Sequence, residues 1–283
     1  LNKFNLIAKS NFVLKKLLES IAENNSLPPF EEDFLHYRKL YKINNPLIPI
    51  KYIFKNLIPL VIKYLIIKIF PKKKTYWSVA YSNFNGFKTS LFRYKEIKNP
   101  PKRFLADPFI YSKNKRSIIF VEDYSFDKAK GDISAIEIFN GFEKHLGIIL
   151  TEDFHLSFPF VFDYEGILYM VPETSQIKEI RLYKCDEFPD KWSFYKTIMK
   201  NVSAADSMII SKNNKWYLFS NICSADINDH NSELHIFYSD NPLSNSWKPL
   251  ECGNPIIFDP LRARNAGIIY KNNNIYRINQ IHK

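Results

Sequence analysis

Two aspartates and two glutamates stand at matching places in a series of similar stretches. They are Asp107 in A-D-P-F, Glu122 at the end of S-I-I-F-V-E, Glu173 at the end of L-Y-M-V-P-E, and Asp206 in A-D-S-M. Carboxyl groups gathered in one place can divide the general acid and general base roles between them. Beside these stretches lie Lys130, His155, Ser157, Arg264, Asn265 and Arg277, a polar and cationic set suited to holding a substrate. Each residue alone has a plainer use: an Asp before Pro caps a turn, a His between apolar neighbours is held by hydrogen bonds in a core, and Arg264 and Arg277 can pair with Asp107 and Asp206 across neighbouring elements. A shared site therefore requires a fold that brings these positions to one point.

A repeat supplies it. Four stretches begin at Asp107, Phe158, Asp206 and Ala266, and each reads as an apolar run, a turn of Lys, Asn, Glu or Gly, and a second apolar run. That pattern predicts four β-hairpins. Between them lie further strand candidates, Ile133–Phe139 with Leu146–Leu150 and Ile180–Cys185 with Ser193–Met199. Four strands in each step of about fifty residues predict an all-β propeller, in which the first strand of each blade lines a central channel. The heads of the repeats, with His155-Leu156-Ser157 and Arg264-Asn265, then converge at one end of that channel. Two more strands are expected at Tyr76–Tyr81 and Lys88–Tyr94, closing either a four-bladed ring or part of a fifth blade.

Charge divides the chain at the same point. The 283 residues carry a formal +11, and residues 1–75 hold 14 Lys and Arg against 5 Asp and Glu, leaving 26 against 24 in residues 76–283. The propeller is nearly neutral, so nucleic acid is not an expected partner. The basic segment Lys51–Lys74 has seven lysines, no acid and mostly large apolar residues, with Pro59 and lysines interrupting any run of the roughly 20 apolar residues a membrane span needs. A helix lying in the interface of an anionic membrane, with Lys55, Lys63, Lys68 and Lys72–Lys74 reaching the headgroups, fits this composition; an ordinary helix packed on the following domain is the plainer alternative. Upstream, Phe12, Leu17, Leu18 and Ile21 predict another helix, ending before Pro28-Pro29. Seven Gly, with no Gly-rich nucleotide loop, and three scattered Cys imply no cofactor, no metal site and no disulfide framework. A cytoplasmic location, peripheral on an inner membrane, is expected.

The ordered motifs F-L-A-D-P-F-I (104–110), K-G-D-I-S-A (130–135), F-H-L-S-F-P-F-V-F (154–162), Y-M-V-P-E-T (169–174), A-D-S-M-I (205–209), N-P-I (254–256), A-R-N-A-G (263–267) and I-Y-R-I-N-Q (275–280) resemble the N-terminal domain of glucosamine inositolphosphorylceramide transferases and its bacterial relatives. The resemblance covers about residues 76–283. It implies a five-bladed propeller akin to furanosidase-type glycosidases, with the last blade incomplete in this chain, and a role in bacterial surface polysaccharide or glycolipid assembly. It also implies that Asp107 occupies the base position of those glycosidases, while their Glu-Gly-Pro acid motif is absent and Ser157-Phe158 replaces an expected Asp. Cations at Lys130, His155, Arg264, Arg277 and Arg262 suit a phosphorylated sugar donor, favouring glycosyl transfer to a glycan or glycolipid acceptor. A furanosidase-like hydrolase and a non-catalytic sugar-binding module are the alternatives.

Overall fold

The computed structural model describes residues 3–24, 47–69, 77–82, 93–224, 229–272 and 274–281. The chain forms two compact units, Leu1–Tyr76 and Trp77–Lys283. The first contains helix α1 (Lys3–Asn24) and a second helical stretch made of α2 (Leu47–Tyr52), a π-helical turn (Ile53–Leu57) and α3 (Ile58–Ile69). Lys72–Lys74 and the Pro28-Pro29 exit lie outside the described residues, as does the side chain of Lys68.

The second unit is all-β. Strands β3 (Arg103–Lys113), β4 (Arg116–Ser125), β5 (Lys130–Phe139) and β6 (Phe142–Leu150) form one antiparallel sheet in chain order. The next holds β7 (Ser157–Tyr164), β8 (Ile167–Glu173), β9 (Glu179–Glu187) and β10 (Lys191–Lys200). A third is built from β11 (Ala204–Lys212), β12 (Lys215–Ile222), β13 (Glu233–Ser239) and the short β14 (Lys248–Pro249), with β15 (Ile257–Phe258) also pairing β13. The fourth is the hairpin β16 (Asn265–Lys271) and β17 (Asn274–Asn279). All four expected hairpins and both intervening strand pairs are present. Another two-stranded sheet pairs β1 (Val79–Tyr81) with β2 (Lys95–Ile97), Val79 opposite Ile97. The strand expected at Lys88–Tyr94 falls largely on residues outside the description, and the observed partner of β1 begins only at Lys95.

The turns explain how the sheets form with so few glycines. Asn114-Lys115 and Asn213-Asn214 both adopt positive φ, 51° and 63°, 52° and 59°. Two successive left-handed residues give the hairpin turn whose twist matches the strands, and Asn tolerates that region best among non-glycine residues.

Apolar faces of neighbouring sheets pack face to face. Ile118, Phe120, Ile133, Leu168, Met170 and Tyr183 join the first sheet to the second, and Phe160, Val171, Ile209 and Leu218 join the second to the third. The first strands β3, β7, β11 and β16 line a common channel of about 920 Å³. The sheets do not close into a ring among the described residues.

Candidate active site

At the head of each first strand the pairing slips: between Ala106 and Phe109, Ser157 and Phe160, Ala205 and Met208, and Asn265 and Gly267. Within the first three bulges Asp107, Phe158 and Asp206 each adopt φ of 48°. Non-glycine residues held in the left-handed region cost of order 1–3 kcal/mol each. Recurrence of one strained geometry at three sheet heads marks a backbone device that re-aims side chains toward the channel mouth. The residues opposite the bulges form a second ring: Glu122 faces Ala106, Glu173 faces Ser157, Asn221 faces Ala205 and Asn279 faces Asn265. Carboxylates thus come from the first two sheets and amides from the last two.

These rings border a pocket of about 460 Å³ lined by Asp107, Glu122, His155, Ser157, Glu173 and Arg264 together with Trp77, Ser78, Phe104, Ala106, Pro108 and Gln280. Asp206, 1% exposed, lies beneath it. It accepts from Arg264 Nε at 2.7 Å and from Gln280 Nε2 at 3.1 Å, while Arg264 Nη1 reaches Asn231 Oδ1 at 2.9 Å. Fully buried Asn265 donates to the Asp206 carbonyl at 2.8 Å and takes no part in the pocket wall. Asn221 accepts from the Asn265 amide and donates to the carbonyls of Glu233 and Ala263, fixing the turn that presents Arg264.

Besides Asn265, two more of the expected binding residues lie off the pocket wall. Lys130 begins a third strand, pairs with Asp132 at 2.9 Å and donates to Thr151 and the Glu152 carbonyl. Arg277 donates to the carbonyls of Arg262 and Ala263 and to Asn265 Oδ1. Arg262 is exposed and pairs with Asp259 at 3.6 Å. Their donors satisfy turns, which corrects the expectation of a cation-rich channel.

His155 is also uncharged here. The Gly131 N–H donates to its Nδ1 at 2.9 Å, so the ring proton sits on Nε2, 3.5 Å from Glu122 Oε1. Burial holds its pKa below the ordinary value. Gly131 is indispensable to this contact: a Cβ there would lie 2.5 Å from the Leu156 carbonyl, 2.9 Å from His155 Cε1 and 3.0 Å from Glu122 Oε1. Gly131→Ala is expected to destabilise the domain by about 1–3 kcal/mol through overpacking and to displace His155. Thermal melts with His155 ring NMR check this, and an unchanged melt and spectrum would contradict it.

The carboxyl groups titrate unequally. Burial, then the charges of Asp107, Glu173 and Asp206, pushes Glu122 up to about 8. Asp107 is raised to about 6 by burial and by Asp206, with Arg264 and the Phe158 backbone N–H opposing. Burial raises both Glu173 and Asp206; repulsion from Asp107 adds to the rise at Glu173, and repulsion from Glu173 adds to it at Asp206. Arg264 and Gln280 donate to Asp206, and the Ser175 hydroxyl donates to Glu173 at 2.7 Å, opposing the rise at each. Near pH 7 Asp107 is therefore ionised and Glu122 keeps its proton, in a pocket whose third carboxyl, Glu173, is also pushed toward the protonated form. Trp77, 69% exposed at the rim, Phe104 and Gln280 were not expected from the sequence as site residues. Gln280 ends the last repeat and was legible there; Trp77 precedes every repeat.

The family described as "Glucosamine inositolphosphorylceramide transferase 1, N-terminal" matches residues 59–283. Glucosamine inositolphosphorylceramide transferase 1 of Arabidopsis thaliana is 36% identical over 185 residues, 64% of this chain and 24% of the relative. Its counterpart in Oryza sativa subsp. japonica is 35% identical over 174 residues, 60% of this chain and 23% of the relative. The chain thus spans about a quarter of the length of these relatives, which are plant proteins. An exo-β-1,3-galactanase of Phanerochaete chrysosporium, crystallised with β-1,3-galactotriose, superposes with a TM-score of 0.50 at 11% identity, over 65% of this chain and 46% of that one. The likeness is one of fold, that of the propeller glycoside hydrolases.

Proposed function

The chain belongs to the family of the N-terminal domain of glucosamine inositolphosphorylceramide transferase 1, and from that membership we propose that residues 77–283 form a carbohydrate-active domain that transfers a glycosyl group to a hydroxyl acceptor of a glycolipid or surface glycan. The proposed architecture is a five-bladed propeller, with β1 and β2 belonging to the fifth blade.

The observation that carries the reading is the split protonation of Asp107 and Glu122 in one pocket. Pairs of carboxyl groups with separated pKa values supply a base and an acid at the same pH. Asp107 accepts the proton of the acceptor hydroxyl as that oxygen bonds to the anomeric carbon. Glu122 gives its proton to the departing oxygen as the old bond breaks, so one proton enters and one leaves. His155 Nε2–H faces Glu122 and holds its orientation. Trp77 offers a flat apolar ring at the rim for a sugar face.

The same geometry narrows the donor. Arg264 is the one charged cation on the pocket wall among the described residues, and it is already bonded to Asp206 and Asn231. A neutral glycoside suits this acidic pocket better than a phosphorylated sugar. A bacterial setting has no support from the plant relatives.

Hydrolysis is the second reading, favoured by the fold shared with glycoside hydrolases, with water replacing the acceptor. Incubating the chain with a panel of oligosaccharides and an inositol-phosphate glycolipid, with and without acceptor, tests both by mass spectrometry. Transferred product supports the first reading and released sugar the second. Asp107→Asn is expected to lower turnover about 10²- to 10⁴-fold with the melt at neutral pH unchanged or raised, since Asn removes a buried carboxyl whose ionisation opposes folding. Saturable sugar binding without turnover by the unaltered chain would instead assign the domain a binding role.

A further inference from the structure

We propose that the helix Leu47–Ile69 is an interfacial anchor that docks the chain on an anionic lipid bilayer. Every described side chain from Ile50 to Ile66 is exposed, including Phe54 at 65% and Leu60 at 62%. Soluble surfaces rarely leave so continuous an apolar patch uncovered, so the segment needs an occupant. Its charges are all positive: Lys51, Lys55, Lys63 and Lys68, with no acid between residues 47 and 69.

The π-helical turn organises this surface. Lys63 follows Lys51 by twelve positions, which in an unbroken α-helix would place it about 120° around the axis. The π turn at Ile53–Leu57 closes its hydrogen bonds one residue later and absorbs about one position, bringing Lys63 back to about 20° from Lys51. Lys51, Lys55 and Lys63 then form one cationic stripe, and Ile53, Phe54, Leu57, Ile58, Val61 and Ile62 occupy the opposite arc. Asn56, bonded through Nδ2 to the Tyr52 carbonyl at 3.1 Å, lies toward the polar side. The apolar arc is wider than the two-position seam of a coiled coil, which argues against a second copy as occupant. Among the described residues no helix is long and apolar enough to cross a membrane. Lying in the bilayer surface satisfies both faces: apolar side chains enter the acyl boundary while lysines meet anionic headgroups.

The test uses the full chain and cosedimentation with phosphatidylcholine vesicles, either pure or with phosphatidylserine. The chain is expected to bind the anionic vesicles and not the neutral ones. Lys51→Gln, Lys55→Gln and Lys63→Gln together should weaken that binding on the order of a hundredfold, about fivefold for each lysine. Phe54→Ser with Leu57→Ser should abolish binding while circular dichroism of the β unit is unchanged. Equal binding to both vesicle types, undiminished binding by the lysine variant, no vesicle binding at all, or a dimer split by the Phe54 and Leu57 changes would each overturn the proposal.

Discussion

Arg264→Met is expected to destabilise the β unit by about 3–5 kcal/mol at pH 8, the cost of removing one partner of a buried pair. For a domain of this size the melting temperature falls by about 10 °C. Arg264 bonds Asp206, which is 1% exposed, and its charge also lowers the pKa values of Asp107 and Glu173. Without the guanidinium all three carboxyl groups bind protons more tightly in the folded chain than before. Groups raised in this way favour the folded state at low pH and oppose it as pH rises, so the deficit should shrink toward pH 5. Arg264→Lys retains charge but not the two-pronged contact with Asp206 and Asn231, and should fall between the two. Melts at pH 5 and pH 8 check the prediction; a small loss equal at both would show that Arg264 does not hold this cluster.

Glu122→Gln should have the opposite effect on stability while removing activity. The Glu122 pKa is raised from 4.5 to about 8. In the wild type the carboxyl is comfortably protonated in the folded state, and its contribution is full below pH 4.5 and is lost as pH rises through about 8. The whole interval corresponds to at most roughly 5 kcal/mol. Gln mimics the protonated acid in shape and never ionises. The variant should therefore melt with the wild type near pH 4.5 and above it at pH 9. Turnover should fall about 10²- to 10⁴-fold, because the departing oxygen has lost its proton source. A variant less stable than wild type at pH 9, or one that keeps its turnover, would contradict the assignment.

The repeat was legible because its phase is a backbone requirement. The four positions read as repeat starts, Asp107, Phe158, Asp206 and Ala266, are the residues that fall at the four pairing slips. The carboxyl groups were legible for the same reason, since bulge heads and the ends of second strands face the channel mouth. Phe158 shows that the geometry and not the carboxylate is what repeats: a buried phenylalanine adopts the same φ of 48° as Asp107 and Asp206.

The cations were not legible, because a Lys or Arg reads identically whether it lines a pocket or binds turn carbonyls. Lys130 heads a third strand, one step farther from the channel than Glu122, and Arg277 pairs opposite Ile268 within β17, short of the mouth reached by Gln280. Counting strands outward from the channel would have separated them from Arg264. Trp77 had no such signal, because it lies before the repeats and reaches the pocket only through the fold.

The most direct test of the acid and base roles is a carboxyl carbon NMR titration of the folded chain, with Asp107→Asn and Glu122→Gln assigning the resonances. Asp107 is expected to titrate near pH 6 and Glu122 near pH 8, so that an ionised and a protonated carboxyl share the pocket at pH 7. Titration of both groups below pH 5 would leave Asp107 and Glu122 both ionised at neutral pH and would contradict these assignments.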